Sequence, residues 1–226
     1  MRPGGANVNE KETRQIDVLA IGLFGLAVGA LTLGLAQIGW IPETDKIGVL
    51  VITLVFGGVV QLLAGITDIR YNEQLGGTAL TMYGFFWLTV STTKLLSEST
   101  SLQFGGTLYI PVGLVYLVFS AVMIYLTAYK SITLSILHVT ITLTFLAAVL
   151  TRLGVISSET LPGVGHLCIG VVAFYHAIGS LSLAFTGRAI VPLGRPIFAR
   201  KTSNAAHHHL SPGRIGLPEV SASYPS

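Results

Sequence analysis

Six long apolar runs occupy most of the chain, and short polar segments separate them. They cover about residues 16–40, 47–69, 78–96, 107–128, 131–153 and 164–185. A helix of about 20 residues is long enough to cross the hydrocarbon core of a bilayer. Backbone groups inside lipid must pair within the protein, which favours an α-helix for each run. The sequence therefore predicts an all-α integral membrane protein with six transmembrane helices, located in the cell membrane.

The few charged residues predict how the chain is oriented. Of the 13 Lys and Arg residues, an orientation with the N-terminus inside puts ten on the inner side and three on the outer side. The outer three are Lys46, Lys94 and Arg152. By the positive-inside rule, both termini are cytoplasmic. We predict a cytoplasmic N-terminal tail over residues 1–15, a transmembrane domain over residues 16–190 and a flexible cytoplasmic C-terminal tail over residues 191–226.

Composition excludes several functional classes. Charged residues make up only 10% of the chain, and the net charge of +3 comes without basic–aromatic clusters, so we expect no nucleic-acid partner. The chain lacks the motifs of nucleophilic and metal-dependent enzymes, and the single Cys168 cannot form an internal disulfide. The tract His207–His209 has no second cluster to complete a metal site. We therefore expect no enzyme activity, no cofactor and no bound metal.

The stretch VFGGVVQLLAGITDIRYNEQLGGTALTMYGFFWL, residues 55–88, carries small and polar residues inside two apolar runs. These residues include Gly57, Gly58, Gln61, Tyr83 and Trp87. Glycines let two membrane helices approach closely, and an amide or phenol buried in lipid needs a polar partner or water. The stretch therefore indicates two helices that meet around a polar path.

Two motifs in this stretch, GGVVQLLAG from Gly57 and YGFFWL from Tyr83, resemble the acetate uptake transporter family of succinate–acetate permease type. The resemblance covers about residues 17–194. It implies six helices, one path through each protomer of a ring-shaped homo-oligomer, commonly a hexamer, and a lipid bilayer as the environment. It also implies proton-linked uptake of acetate, related small monocarboxylates or succinate.

The same resemblance assigns residues to the path. The family's phenylalanine in the first helix falls on Leu26, its tyrosine in the second motif on Tyr83, and its leucine in the fifth helix on Ile141. We expect these three side chains to form a constriction, because an apolar ring with one phenol excludes hydrated ions while admitting a small hydrogen-bonding solute. Further residues expected along the path or in its signature are Asp17, Gly22, Gly57, Gly58, Gln61 and Trp87.

The chain departs from the family's pattern at both ends. The family signature Asn-Pro-Ala-Pro-Leu-Gly-Leu keeps only its Gly-Leu, at Gly22 and the next residue, and Asp17 stands in place of the Asn. Late in the sixth helix, where family members tend to carry carboxylates or an Asn, this chain has Ser180, Leu183 and Ala184. Two alternatives therefore stay open: a channel for a small neutral solute such as urea, and a non-transporting sensor or interaction protein that keeps the fold.

The fifth predicted helix carries a polar stripe at spacings of four, three and four residues, formed by Ser131, Ser135, His138 and Thr142. Ser and Thr hydroxyls can bond to carbonyls of the preceding turn, so structural support is one interpretation of the stripe. A histidine titrates near neutral pH, and inside lipid it is a functional candidate. We therefore name His138 as the candidate proton site.

Overall fold

The computed structural model describes residues 17–198, and six long helices make up most of this part of the chain. We label them α1 (Val18–Gln37), α2 (Lys46–Ile52, Thr53–Val60 and Gln61–Arg70 in succession), α3 (Gln74–Ser99), α4 (Tyr109–Thr127), α5 (Ile132–Arg152) and α6 (Thr160–Thr186). The predicted N-terminal tail and the tract His207–His209 lie outside the described residues.

Within residues 17–198, five segments are long and apolar enough to cross a membrane. They are Val18–Gln37, Glu43–Arg70, Gly106–Thr127, Ile132–Arg152 and Thr160–Thr186. The remaining helix, α3, has 26 residues, which exceeds the length needed, but its many Ser, Thr and charged residues make it less apolar. The prediction of an all-α membrane protein is confirmed. Of the six long helices within residues 17–198, five are both long and apolar enough to span a bilayer.

Helix α1 lies in the middle of the bundle. It packs mainly against α6 and α2, while α2 packs along α3 and α4 packs along α5. Small residues line its contacts: Ala20 and Ala30 are completely buried, and a Cβ built on Gly29 would lie 3.1 Å from the Gly57 backbone. Small side chains drive such close approach in lipid, where apolar burial gives no advantage over contact with the acyl chains.

The middle of α2, Thr53–Val60, is a π-helix. Such wide segments are rare and often lie at functional sites. This one contains Gly57 and Gly58 and ends immediately before Gln61. The sequence alone does not predict this π segment, because the helical spacing of apolar residues does not distinguish it from an α-helix.

A tight turn brings α3 back along α2. Asn72, between the two helices, has a left-handed φ of 62°, a conformation that Asn tolerates better than most residues. Farther along, Ser91 on α3 and Thr53 on α2 form a buried hydrogen bond of 2.9 Å. Because the Thr53 hydroxyl donates to the Leu50 carbonyl, the Ser91 hydroxyl is the donor to Thr53.

The chain after α6 folds back across the ends of α5 and α6. Gly187 ends α6 with a left-handed φ of 71°, the usual conformation of a glycine C-cap. The Tyr175 hydroxyl donates to the Pro192 carbonyl, and the Thr133 hydroxyl donates to the Leu193 carbonyl. Residues 187–198 therefore cover one end of the bundle.

The close contact between α2 and α3 predicts that Gly65→Ala destabilises the protein. A Cβ on Gly65 would lie 2.5 Å from the Thr81 backbone nitrogen and 3.0 Å from the Gly77 carbonyl oxygen, and backbone atoms cannot rotate away. We expect a loss on the order of 1–3 kcal/mol, seen as a lower midpoint of heat unfolding in detergent. Gly48→Ala is the control, since a Cβ on Gly48 meets no atom within 4 Å. Equal midpoints for the two variants would contradict the tight packing.

Candidate functional site

Two cavities inside the bundle share Leu26, Tyr83 and Ile141 among their lining residues. The first has a volume of about 30 Å³ and the second about 70 Å³. The three side chains come from α1, α3 and α5 and are each at most 5% exposed. A residue that lines two separate cavities lies at the boundary between them. The structure thus brings together the three residues named for the constriction, with the first cavity on one side and the second on the other.

Aromatic neighbours fix the Tyr83 ring. It makes an edge-to-face contact with Phe119 at 5.4 Å between centroids, and it lies 6.2 Å from Tyr116 and 6.0 Å from His138. Tyr116 is itself anchored, because its hydroxyl donates to the Met82 carbonyl at 2.7 Å. These contacts restrict the position of the Tyr83 hydroxyl at the boundary of the first cavity.

Three buried polar side chains of the first cavity have atoms without hydrogen-bond partners among the described residues. They are both amide atoms of Gln61, the hydroxyl of Tyr83 and Nε2 of His138. Gln61 is completely buried, and the other two are at most 5% exposed. An unsatisfied buried polar group costs about 1–3 kcal/mol, so a cluster of three is unusual unless a ligand or water meets them.

The hydrogen-bond partner of His138 indicates which of its ring nitrogens accepts. Nδ1 lies 2.9 Å from the Leu134 carbonyl oxygen, which can only accept, so Nδ1 carries the proton in this bond. In the neutral ring, Nε2 is therefore an acceptor at the cavity wall. The hydroxyls of the polar stripe on α5 bond to the backbone of their own helix. Ser135 donates to the Ser131 carbonyl and Thr142 to the His138 carbonyl, as expected if these hydroxyls have a structural role.

Asp17 lies just before α1, where it acts as the N-cap. Its Oδ1 accepts from the Ala20 backbone nitrogen at 3.1 Å, and its Oδ2 accepts a hydrogen bond from the Ser180 hydroxyl. Asp17 lines neither of the two cavities. Two positions at which the sequence departs from the family's pattern are therefore in direct contact, which joins the start of α1 to the end of α6.

The other residues named for the path or its signature either line a cavity or lie where two helices are in contact. Trp87 lines the second cavity, and Gln61 lines the first. Gly22, Gly57 and Gly58 lie instead at helix contacts, where an added Cβ would come within 2.6 to 2.8 Å of Leu80, Trp87 and Leu88 respectively. These glycines therefore shape the walls through close packing of α1, α2 and α3.

Sequence reasoning assigned no role to a polar network beyond the second cavity. His166 Nδ1 lies 2.8 Å from Gln37 Oε1, and Gln37 Nε2 donates to Glu159 Oε2 at 3.1 Å. Glu159 Oε1 also forms an ion pair with Arg152 at 3.3 Å. The members come from α1, α5, α6 and the segment before α6. The sequence shows these four polar residues inside or beside the apolar runs, but their contacts with one another arise only from the tertiary structure.

Asp68 was also missed. This residue of α2 is 5% exposed, and its Oδ2 has no hydrogen-bond partner among residues 17–198. A Cβ built on Gly76, which lines the first cavity, would lie 2.8 Å from that oxygen. In the sequence, the available signal was a carboxylate near the end of an apolar run. The described residues contain no group of three or more His, Cys, Asp or Glu side chains that could hold a metal ion.

Comparison with known proteins supports the resemblance. The GPR1/FUN34/yaaH family model matches residues 1–191. The succinate-acetate/proton symporter SatP of Escherichia coli (strain K12) is 29% identical over 193 residues, covering 80% of this chain and 97% of that protein. The accumulation of dyads protein 2 of Saccharomyces cerevisiae is 56% identical over 34 residues, covering 15% of this chain and 12% of that protein.

The fold also has a known counterpart. A solved structure of the bacterial acetate channel SatP superposes with a TM-score of 0.72 at 23% sequence identity, covering 79% of this chain and 99% of that chain. This likeness agrees with the six-helix arrangement described above. Because the family model extends over most of the chain, the multi-pass membrane protein described here belongs to the GPR1/FUN34/yaaH family of acetate uptake transporters and is not an enzyme.

Proposed function

We propose that the protein carries acetate and related small monocarboxylates, and also the larger dicarboxylate succinate, across the cell membrane together with a proton. The observation that carries this proposal is the group of unpartnered polar atoms on Gln61, Tyr83 and His138 around one buried cavity. The name of the relative SatP, a succinate-acetate/proton symporter, supports the same substrate class.

The chemistry of a carboxylic acid suits these three groups. The Gln61 amide and the Tyr83 hydroxyl can donate to a carboxyl oxygen, and the neutral His138 ring can accept the acid's O–H at Nε2. If His138 is protonated instead, Nε2 donates to a carboxylate. In both arrangements one proton accompanies the carboxyl group, which is why we link transport to protons.

The barrier to be overcome is the charge of the substrate. A small carboxylic acid with a pKa of about 4.5 is almost entirely an anion at neutral pH, and an unpaired anion in hydrocarbon is very unfavourable. At Leu26, Tyr83 and Ile141 the lining offers two apolar side chains and one phenol. Such a constriction disfavours hydrated ions and favours a compact solute that forms one hydrogen bond.

The proposal includes the predicted orientation and assembly. Both cavities lie between helices of one chain, so we propose one path through each protomer. We propose cytoplasmic termini from the distribution of Lys and Arg, and a ring-shaped homo-oligomer, commonly a hexamer, from the family resemblance.

Counterflow in proteoliposomes tests the substrate class. We expect labelled acetate and, more slowly, labelled succinate to enter vesicles loaded with the unlabelled compound, faster at acidic than at neutral pH, with protein-free vesicles as the background. Labelled urea is expected not to enter. Entry of urea at a rate independent of pH and membrane potential would instead indicate a neutral-solute channel. No entry of any of the three compounds would indicate a protein that keeps the fold without transport.

Tyr83 is expected to have two separable effects. Tyr83→Phe keeps the ring but removes the hydroxyl, so we expect the initial rate of acetate entry to fall roughly tenfold, as the loss of one hydrogen bond predicts. Tyr83→Ala removes the ring at the boundary between the cavities, so we expect it to relax selectivity and to admit urea. Wild-type rates and selectivity in both variants would remove Tyr83 from the path.

His138→Gln tests the proton site. Gln has an acceptor that does not titrate, so we expect acetate entry to persist without its extra acceleration at acidic pH. Rates are compared at two pH values with the concentration of undissociated acetic acid held equal, so that titration of the substrate does not contribute. His176→Asn is the control, because Asn can retain the bond that His176 Nδ1 makes to the Thr133 hydroxyl at 2.7 Å. A wild-type pH response in His138→Gln would exclude His138 as the proton site.

A further inference from the structure

Beyond the second cavity lies a vestibule with charged walls. A cavity of about 80 Å³ shares Phe86, Trp87 and His166 with the second cavity and is also lined by Lys94 and Arg152. It shares Gln37, Lys94 and Glu159 with a wider cavity of about 310 Å³. We call these two cavities the vestibule. Shared lining residues therefore connect the vestibule, the second cavity, the constriction and the first cavity in that order.

The other charged groups in and beside the vestibule form ion pairs, two cations with three carboxylates. Lys46 pairs with Glu43 at 2.7 Å and with Glu98 at 3.0 Å. Arg152 pairs with one oxygen of Glu159, and the other oxygen of Glu159 accepts from Gln37. Both carboxylate oxygens of Glu159 are therefore engaged.

Lys94 is the exception. Within residues 17–198 its ammonium group forms no salt bridge and no hydrogen bond, although it lines both cavities of the vestibule. Its side chain is only partly exposed, and its neighbours in the cavity wall include Leu33, Phe86 and Trp87. A cation in a cleft with apolar walls attracts anions more strongly than one on an open surface, because the field is less screened.

The opposite end of the path differs. Lys130 is the cation that lines the first cavity, and it is paired with Glu73 at 2.7 Å. Asp68 and Asp17 lie near the same end and are acidic. Among the described residues that line these cavities, the cation without an ion pair therefore lies in the vestibule and not at the first cavity.

We propose that Lys94 is the centre of an anion-binding subsite in the vestibule, where a small carboxylate binds in its ionised form before it reaches the constriction. The inference rests on the proposed function for the identity of the anion. It separates two tasks along the path: Lys94 binds the charge of the carboxylate, and the group Gln61, Tyr83 and His138 binds the carboxyl together with a proton.

The position of Trp87 allows the subsite to be tested by binding alone. Trp87 lines the vestibule, and the only other tryptophan, Trp40, is 75% exposed. In a Trp40→Phe background, the fluorescence of the full-length protein in lipid-free detergent reports on the surroundings of Trp87. Sodium acetate is the probe, with sodium gluconate added to keep the ionic strength constant, so that acetate replaces a bulkier carboxylate of the same charge.

We expect a saturable response to acetate in the Trp40→Phe protein and an apparent Kd raised about tenfold or more by Lys94→Leu, because a bond to a charged group is lost. Lys94→Met serves as a second variant that keeps the length of the side chain. Lys94→Arg is expected to stay within about threefold, because it keeps the charge. Arg70→Leu is the matched control: it removes one positive charge from an exposed residue at the other end of α2.

Acetamide, a neutral isostere of acetate, should compete at least tenfold more weakly if the subsite recognises charge. The inference is overturned if the Trp40→Phe protein with Lys94 intact gives no saturable response to acetate. It is also overturned if the Lys94→Leu and Lys94→Met variants bind acetate as tightly as that protein, or if acetamide competes as strongly as acetate. Adding vesicles of anionic lipid should not displace acetate; displacement would show that Lys94 binds lipid phosphates instead.

The binding and counterflow experiments also separate the two proposals. Acetate binding that depends on Lys94, without counterflow, would refute the proposed function alone. Counterflow with an acetate Kd that the Lys94 variants leave unchanged would refute the subsite alone.

Discussion

The close approach of α2 to α3 is the contact on which the site depends. The two helices are close enough that a Cβ on Gly57 would lie 2.8 Å from the Trp87 ring and one on Gly65 would lie 2.5 Å from the Thr81 backbone. Only hydrogen fits at these positions. Gln61 and Tyr83 lie on the same two helices, and at this separation both open onto one small cavity. The glycines thus contribute no chemistry themselves, but they set the distance between the groups that do.

Placing these polar groups around a buried cavity lowers the stability of the fold unless a ligand or water pairs with them. The amide of Gln61, the hydroxyl of Tyr83 and Nε2 of His138 are buried without partners among residues 17–198, and apolar side chains could have occupied these positions. Their burial also strengthens what they can do, since a hydrogen bond to a substrate in a region of low polarity competes with little water. The π segment that ends at Gln61 belongs to the same pattern, because irregular helical backbone is tolerated where it serves a site.

Local patterns in the sequence predicted the features that depend on residues close together in the chain. Runs of apolar residues predicted the helices, and the spacing of motifs around Gln61 and Tyr83 predicted the family. The sequence could not predict contacts between residues far apart in the chain. Asp17 was expected along the path or in its signature, and in the structure it caps α1 and binds Ser180, 163 positions away. The bond between Gln37 and His166 spans 129 positions, and only the folded bundle brings the two together.

The proposed transport of a carboxylate explains the order of groups along the path. An anion is attracted over a distance, so a cation is effective in the open vestibule, where Lys94 lies. The same cation at the constriction would hold the anion too tightly to release it, since conduction needs binding weak enough for departure. Leu26 and Ile141 offer no compensation for charge, so a carboxylate that takes the proposed path must be neutral or share a proton when it passes them. His138 and Gln61, immediately beyond, can hold the carboxyl group in either protonation state. A path built in this order attracts the ion and admits the acid.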